Sequence, residues 1–204
     1  RTLSFDATGQ RCDPFRADEG VKPDQVVRLG GMDWKVLFAP GHHPYSYVLF
    51  CEQHGILISA DALWEKGFGV IFPALESYAG FRETRDTLDM IEALDVRLVI
   101  PGHGRPFTEV QDAIEAAHSR IRYLEADPLR NAQNGIKVLF KFLLMDKQRI
   151  KLSDVPNLIS KVPLIQSANR RHMNFGDIHL SHWVITQLKR VNAVKIEGNE
   201  LVNV

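Results

Sequence analysis

The hydrophobic pattern changes character several times along the chain. Residues 1–30 are polar and broken by Gly9, Pro14, Gly20 and Pro23, so they predict loop or irregular edge structure. The period then tightens. WKVLF (34–38), SYVLF (46–50) and ILISA (56–60) are short, β-branched and aromatic runs that predict three strands. All three are apolar nearly throughout, which predicts cover on both faces. A helix is expected over 76–95, with Phe81, Leu88, Ile91 and Leu94 on one face and Ser77 capping its start. RLVI (97–100) predicts a fourth strand. A second helix over 109–125 carries Val110, Ile114, Ala117, Ile121 and Leu124 as one stripe, opened by a capping box of Thr108 and Gln111. Strands alternating with helices argue for an α/β layered domain.

Past Asp127-Pro128 the pattern becomes mainly helical. Helices are expected at about 134–146, 153–161 (opened by Ser153-Asp154) and 177–190, the last with Ile178, Trp183, Ile185 and Leu188 as its apolar positions. Two short strands follow around Glu197-Gly198-Asn199. Three helices and a hairpin describe a small winged-helix-like domain, which divides the chain into residues 1–128 and 129–204. Charge sharpens that division. The first part holds 13 Lys/Arg against 20 Asp/Glu, a net of −7, and the second 12 against 5, a net of +7. No apolar run approaches the roughly 18 residues of a membrane span, and RTLSFDATGQ lacks the pattern of a signal peptide. Cys12 and Cys51 have no metal-type spacing and make no disulfide framework, so a reducing cytoplasm is the expected compartment.

Candidate chemistry falls on three residues that each follow an apolar strand: His42, Asp61 and His103. A rigid strand fixes the side chain that follows it, and such loops are where α/β proteins place their sites. Two imidazoles and a carboxylate suit zinc or a similar transition metal, and a carboxylate can bridge two ions. Each residue alone has an ordinary reading: a loop histidine bonded to a carbonyl, or an aspartate capping a helix. The ordered combination is what points to metal. His179 and His182 are spaced i, i+3 on an expected helix and are read as core or surface residues.

GHHPYS (41–46), ISADAL (58–63) and IPGHG (100–104), in that order, resemble the third, fourth and fifth motifs of the metallo-β-lactamase-fold superfamily. The resemblance covers about residues 26–127 and is closest to the glyoxalase II and LACTB-like hydrolases, the latter with a winged-helix-like C-terminal extension. It implies an αββα sandwich of which this chain is the C-terminal half. It also implies two zinc ions: His42 on the first, His103 on the second, and Asp61 bridging both as the catalytic carboxylate. The implied activity is hydrolysis of a small acyl substrate (thioester, lactone or lactam) by a metal-bound hydroxide.

The chain departs from the motifs at His43, Tyr45 and Ala60, where Ser or Thr, Gly and Gly are usual. His43 is read as a group behind the ligands or at the surface, with His54 a further candidate donor. The superfamily's leading His-x-His-x-Asp-His motif is absent, since no histidine precedes Gly41. A truncated chain that binds metal weakly, is inactive alone and self-associates through an uncovered sheet face is therefore expected. A nuclease or nucleic-acid-binding protein using the basic half is the alternative. The favoured role for that half is to shape a substrate cleft or a dimer contact.

Overall fold

The computed structural model describes residues 16–77 and 79–204, in two compact units, Arg16–Asp127 and Pro128–Val204. Arg1–Phe15, including Cys12 and half of the expected N-terminal loop, lie outside the described residues.

The first unit is built on a five-stranded mixed sheet in the order β1-β2-β3-β4-β5. Its strands are β1 (Val26–Leu29), β2 (Met32–Phe38), β3 (Tyr47–Cys51), β4 (Ile56–Ala60) and β5 (Leu98–Pro101). The first three pairings are antiparallel and β4–β5 is parallel. Two antiparallel steps separate β2 from β4, so β2, β4 and β5 run the same way. Their C-terminal ends, at Phe38, Ala60 and Pro101, therefore lie along one edge.

Three helices complete the unit: α1 (Pro73–Glu76), α2 (Phe81–Glu92) and α3 (Val110–Glu125). One face of the sheet is covered. The cross-strand row Phe50–Leu57–Val99 is buried with Leu88 and Ile91 of α2 and Ile114, Ala117 and Ile121 of α3. Each of the larger side chains contributes about 1.5–3 kcal/mol by leaving water. The opposite row, Val36–Leu49–Ile58–Ile100, grades from fully buried Val36 to Ile100, 37% exposed. The apolar runs are thus not covered evenly on both faces, contrary to expectation. Cys51 is a buried free thiol in β3.

Three expectations need correction here. The supposed loop before Trp34 contains β1, joined to β2 by a two-residue turn at Gly30-Gly31, both at positive φ. Arg28 and Asp33, opposite each other in that pair, are bonded at 2.9 Å. The helix expected over 76–95 is split. Ser77 ends α1 instead of capping the next helix, and its N–H bonds Pro73 O. The chain then turns through Gly80, whose φ is +100° and whose added Cβ would lie 2.5 Å from Ile71. Glu83 accepts the Gly80 N–H at 2.7 Å and so caps α2. Finally, Thr108 and Gln111 make no capping box. Thr108 donates to Glu109, and Gln111 reaches across to Glu92.

The second unit has four helices, α4 (Pro128–Lys147), α5 (Val155–Ser160), α6 (Pro163–His172) and α7 (Asp177–Arg190), with a 3₁₀ turn at Leu152–Asp154. Strands β6 (Arg149–Lys151), β7 (Val194–Glu197) and β8 (Glu200–Asn203) form a sheet in the order β6-β8-β7. The extra helix, α6, was concealed by Pro163, which opens it at the position where a missing N–H costs nothing. The extra strand, β6, turns the expected hairpin into three strands. Lys141 ties α4 to the sheet, donating to Ala193 O and Asn203 Oδ1, both at 2.6 Å. In α7 the buried stripe is Leu180, Val184, Ile185 and Leu188, whereas Ile178 is exposed. His179 stacks on Phe175 and His182 is exposed. Among the described residues no helix is long and apolar enough to cross a membrane.

Candidate metal centre

The loop after β2 delivers His42, and α2 seats that loop. Thr87 Oγ1 donates to Pro40 O at 2.7 Å, and Gly41 lies so close to Thr84 that an added Cβ would meet its Oγ1 at 2.5 Å. The His42 ring then turns inward. Its Nδ1 is 2.7 Å from Val70 O, so Nδ1 carries the proton and Nε2 presents a lone pair. Burial pushes this imidazole below the ordinary histidine value, opposed by the Asp61 charge and by the Val70 bond. A neutral ring with a free Nε2 is the form that ligates a metal.

Asp61 follows β4 through an irregular step. The β4–β5 register shifts between Ile58 and Ala60, and Ala60 takes φ +46°, a left-handed conformation uncommon for alanine. That irregular step immediately precedes Asp61. Trp64 holds the Asp61 carboxylate, with Nε1 3.2 Å from both Ala60 O and Asp61 Oδ1. His103 follows β5 in the loop Pro101–Gly102–His103–Gly104 and packs edge-on against Trp64, with ring centroids 5.2 Å apart. Two glycines permit this crowding. A Cβ on Gly69 would lie 2.6 Å from His42 Nδ1 and 2.9 Å from Asp61 Cβ. One on Gly102 would lie 3.0 Å from Asp61 Oδ1.

Asp61 lies between the two imidazoles. His42 Nε2 is 3.5 Å from Asp61 Oδ2, and His103 Nε2 is 3.7 Å from Asp61 Oδ1. Charge-assisted hydrogen bonds close to about 2.7–2.9 Å, so neither contact is a good one. A tetrahedral ion with bonds of about 2.0–2.1 Å spaces its ligand atoms about 3.3 Å apart, nearer to what is seen. Each imidazole also faces a different carboxylate oxygen, one of the arrangements open to a bridging carboxylate. The donor set therefore fits borderline-soft divalent ions.

The other two candidate histidines stand apart from this arrangement. His43 Nδ1 accepts the Tyr45 N–H at 3.2 Å, and its ring packs on Tyr45. His54 is exposed in the β3–β4 turn, at the opposite end of β4 from Asp61. One cluster escaped the sequence reading: Asp89, Glu92 and His118, whose ligand atoms all lie within 4.8 Å of one another. No local motif marks it, because it forms only where α2 packs on α3.

Comparison with known proteins finds similarity to one superfamily over part of the chain. The sequence model of the Metallo-beta-lactamase superfamily matches residues 5–103. A probable metallo-hydrolase of Bacillus subtilis (strain 168) is 34% identical over 104 residues, 48% of this chain and 32% of that protein. A metallo-beta-lactamase family protein of Thermus thermophilus aligns at 17% identity over 98% of this chain and 62% of its own, with a TM-score of 0.45. A beta-lactamase domain protein of Burkholderia ambifaria aligns at 17% identity over 96% of this chain and 55% of its own, with a TM-score of 0.44. The chain thus spans about a third of the length of the curated relative and less than two thirds of these two solved structures.

Proposed function

We propose that this chain, which carries a metallo-beta-lactamase superfamily domain matched at residues 5–103, is part of a metal-dependent hydrolase acting on a small acyl substrate. The thioester, lactone or lactam class is read from the superfamily's chemistry, and the likeness to a probable metallo-hydrolase supports hydrolysis. One observation carries the metal assignment: two imidazole nitrogens face opposite oxygens of Asp61 at 3.5 and 3.7 Å, beyond good hydrogen-bond length. His42, Asp61 and His103 are the residues that would hold zinc there. A metal held there would supply Lewis acidity and a route to activating water. The chain's own residues set the geometry. Val70 O fixes the His42 tautomer, Trp64 Nε1 steadies the Asp61 carboxylate, and Gly69 and Gly102 let the loops close around them.

A catalytic zinc normally has three protein ligands, and two histidines with one shared carboxylate fall short of that for two ions. The reading therefore calls for further donors, and weak zinc binding with no useful turnover is expected of these 204 residues alone. The second unit, with four helices and a three-stranded sheet, is read as winged-helix-like.

The test is a thioester and lactone hydrolysis assay on the zinc-loaded product of the complete gene, with Asp61→Asn as the variant. Loss of an outer-shell partner costs about 10–100-fold, so removal of the bridging ligand is expected to cost at least about 100-fold. Turnover unchanged in Asp61→Asn, or insensitive to chelator, refutes the reading.

A further inference from the structure

Away from the strand ends, the seam between α2 and α3 brings three ligand-type side chains together. His118 Nε2, on α3, lies 3.4 Å from Glu92 Oε2 and 3.6 Å from Asp89 Oδ1. Asp89 and Glu92 are one turn apart on α2 and so share a face. The His118 Nε2 atom is buried and has no hydrogen-bond partner. A buried polar atom left unpaired is costly, and in native structures each instance has a reason.

The distances resemble those at the strand ends. They are longer than the roughly 2.7–2.9 Å of a charge-assisted hydrogen bond and match the spacing of about 3.3 Å between ligands on one tetrahedral ion. The surroundings hold the donors in place. Glu92 turns its other oxygen to Gln111, which donates from Nε2 at 3.3 Å, leaving Oε2 directed at His118. Farther along the same seam, Arg85 grips Glu125 with two bonds of 2.7 and 3.2 Å, a second polar tie between the helices. The His118 side chain is only 18% exposed, whereas Asp89 and Glu92 are 61% and 44% exposed. An ion can therefore reach the carboxylates from solvent and settle against the ring.

We propose that Asp89, Glu92 and His118 form a separate divalent-metal site that staples α2 to α3. One nitrogen and two carboxylate oxygens, with water completing the shell, favour zinc among common divalent ions. The staple acts on the helix whose Thr84 and Thr87 seat the loop carrying His42. It is structural: it fixes α2 and takes no part in hydrolysis.

The experiment titrates zinc into the full chain by calorimetry, with cobalt absorption and thermal unfolding as parallel readouts. A His42→Gln/His103→Gln background removes the strand-end donors and separates the two sites. In that background one equivalent of zinc is expected to bind and to raise the unfolding midpoint. Adding His118→Gln is expected to weaken binding at least about tenfold and to abolish both the cobalt bands and the midpoint shift. Asp89→Asn/Glu92→Gln, which changes only exposed groups without altering shape, should do the same and serves where His118→Gln disturbs folding. Gln111→Ala should weaken binding by a smaller factor. No zinc bound in the His42→Gln/His103→Gln background, or binding that ignores all of these substitutions, overturns the proposal. Either result leaves the strand-end reading untouched, since those donors are absent from the background.

Discussion

At the strand ends, His42, Asp61 and His103 stand in loops gripped by main chain. In the helical seam, Asp89, Glu92 and His118 project from two helices spaced by the apolar packing beneath them. The first cluster is positioned by a carbonyl at Val70, a left-handed Ala60, and glycines 69 and 102 packed against the ligands themselves. The second is positioned by Leu88, Ile91, Ile114, Ala117 and Ile121 at distances no local motif specifies. Similar nitrogen-to-oxygen separations arise in both. A ligand-like geometry can thus come from tight main-chain approach or from ordinary helix packing. Substitution should tell the two apart, because a Cβ in the wrong place destroys only the first.

Gly69→Ala should separate them most. The new methyl would sit 2.6 Å from His42 Nδ1 and 2.9 Å from Asp61 Cβ, and neither neighbour is the free end of a flexible chain. Overpacking of this kind costs about 1–3 kcal/mol in stability. Zinc affinity at the strand ends is expected to fall at least about tenfold, as it does when ligand orientation is disturbed. Zinc at His118 should be unaffected. Urea unfolding and zinc titration measure both, and equal weakening at the two clusters would mean that they are one coupled unit.

Trp64→Phe is milder. It keeps the ring against His103 but removes the donor shared by Ala60 O and Asp61 Oδ1. A net loss of about 0.5–1.5 kcal/mol is expected from one such donor. The Asp61 carboxylate should also become less ordered, which nuclear magnetic resonance of the labelled aspartate can follow. An unchanged unfolding midpoint and carboxylate signal would remove Trp64 from the positioning set.

Ala60→Gly should have the smallest effect, and in the stabilising direction. Ala60 is exposed, so its methyl contributes no packing, yet it sits at φ +46°. Relieving a left-handed alanine is expected to stabilise by about 0.5–1 kcal/mol, partly offset by the greater freedom of glycine when unfolded. A lower urea midpoint in Ala60→Gly would show that the methyl is supported by contacts the backbone geometry does not reveal.

The strand-end residues were legible because their signals are local. His42, Asp61 and His103 each follow an apolar run and sit beside Gly or Pro, or directly at a strand's last residue, and that combination can be read from a handful of neighbouring letters. The helix stripes were legible for the same reason, since Leu88 and Ile91, or Ile114, Ala117 and Ile121, repeat at helical spacing. Some misses were also local. Gly30-Gly31 is a hairpin signal whose flanking strand, Val26–Leu29, is too polar at Arg28 and too exposed to read as one. Pro163 marks a helix start as readily as a break.

Sequence by itself determined the alternation of strands and helices, the apolar faces they bury and the three loops that carry His42, Asp61 and His103. These depend on residue type and short-range period, which survive in one dimension. Only the tertiary structure decided that the β2, β4 and β5 ends share an edge, because strand order and direction are set by pairing. It alone decided that Ile100 is left partly exposed while Val36 in the same cross-strand row is sealed, since burial depends on what packs above a strand. And it alone brought His118 to Asp89 and Glu92, because residues on two helices become neighbours only through the core that sets those helices side by side.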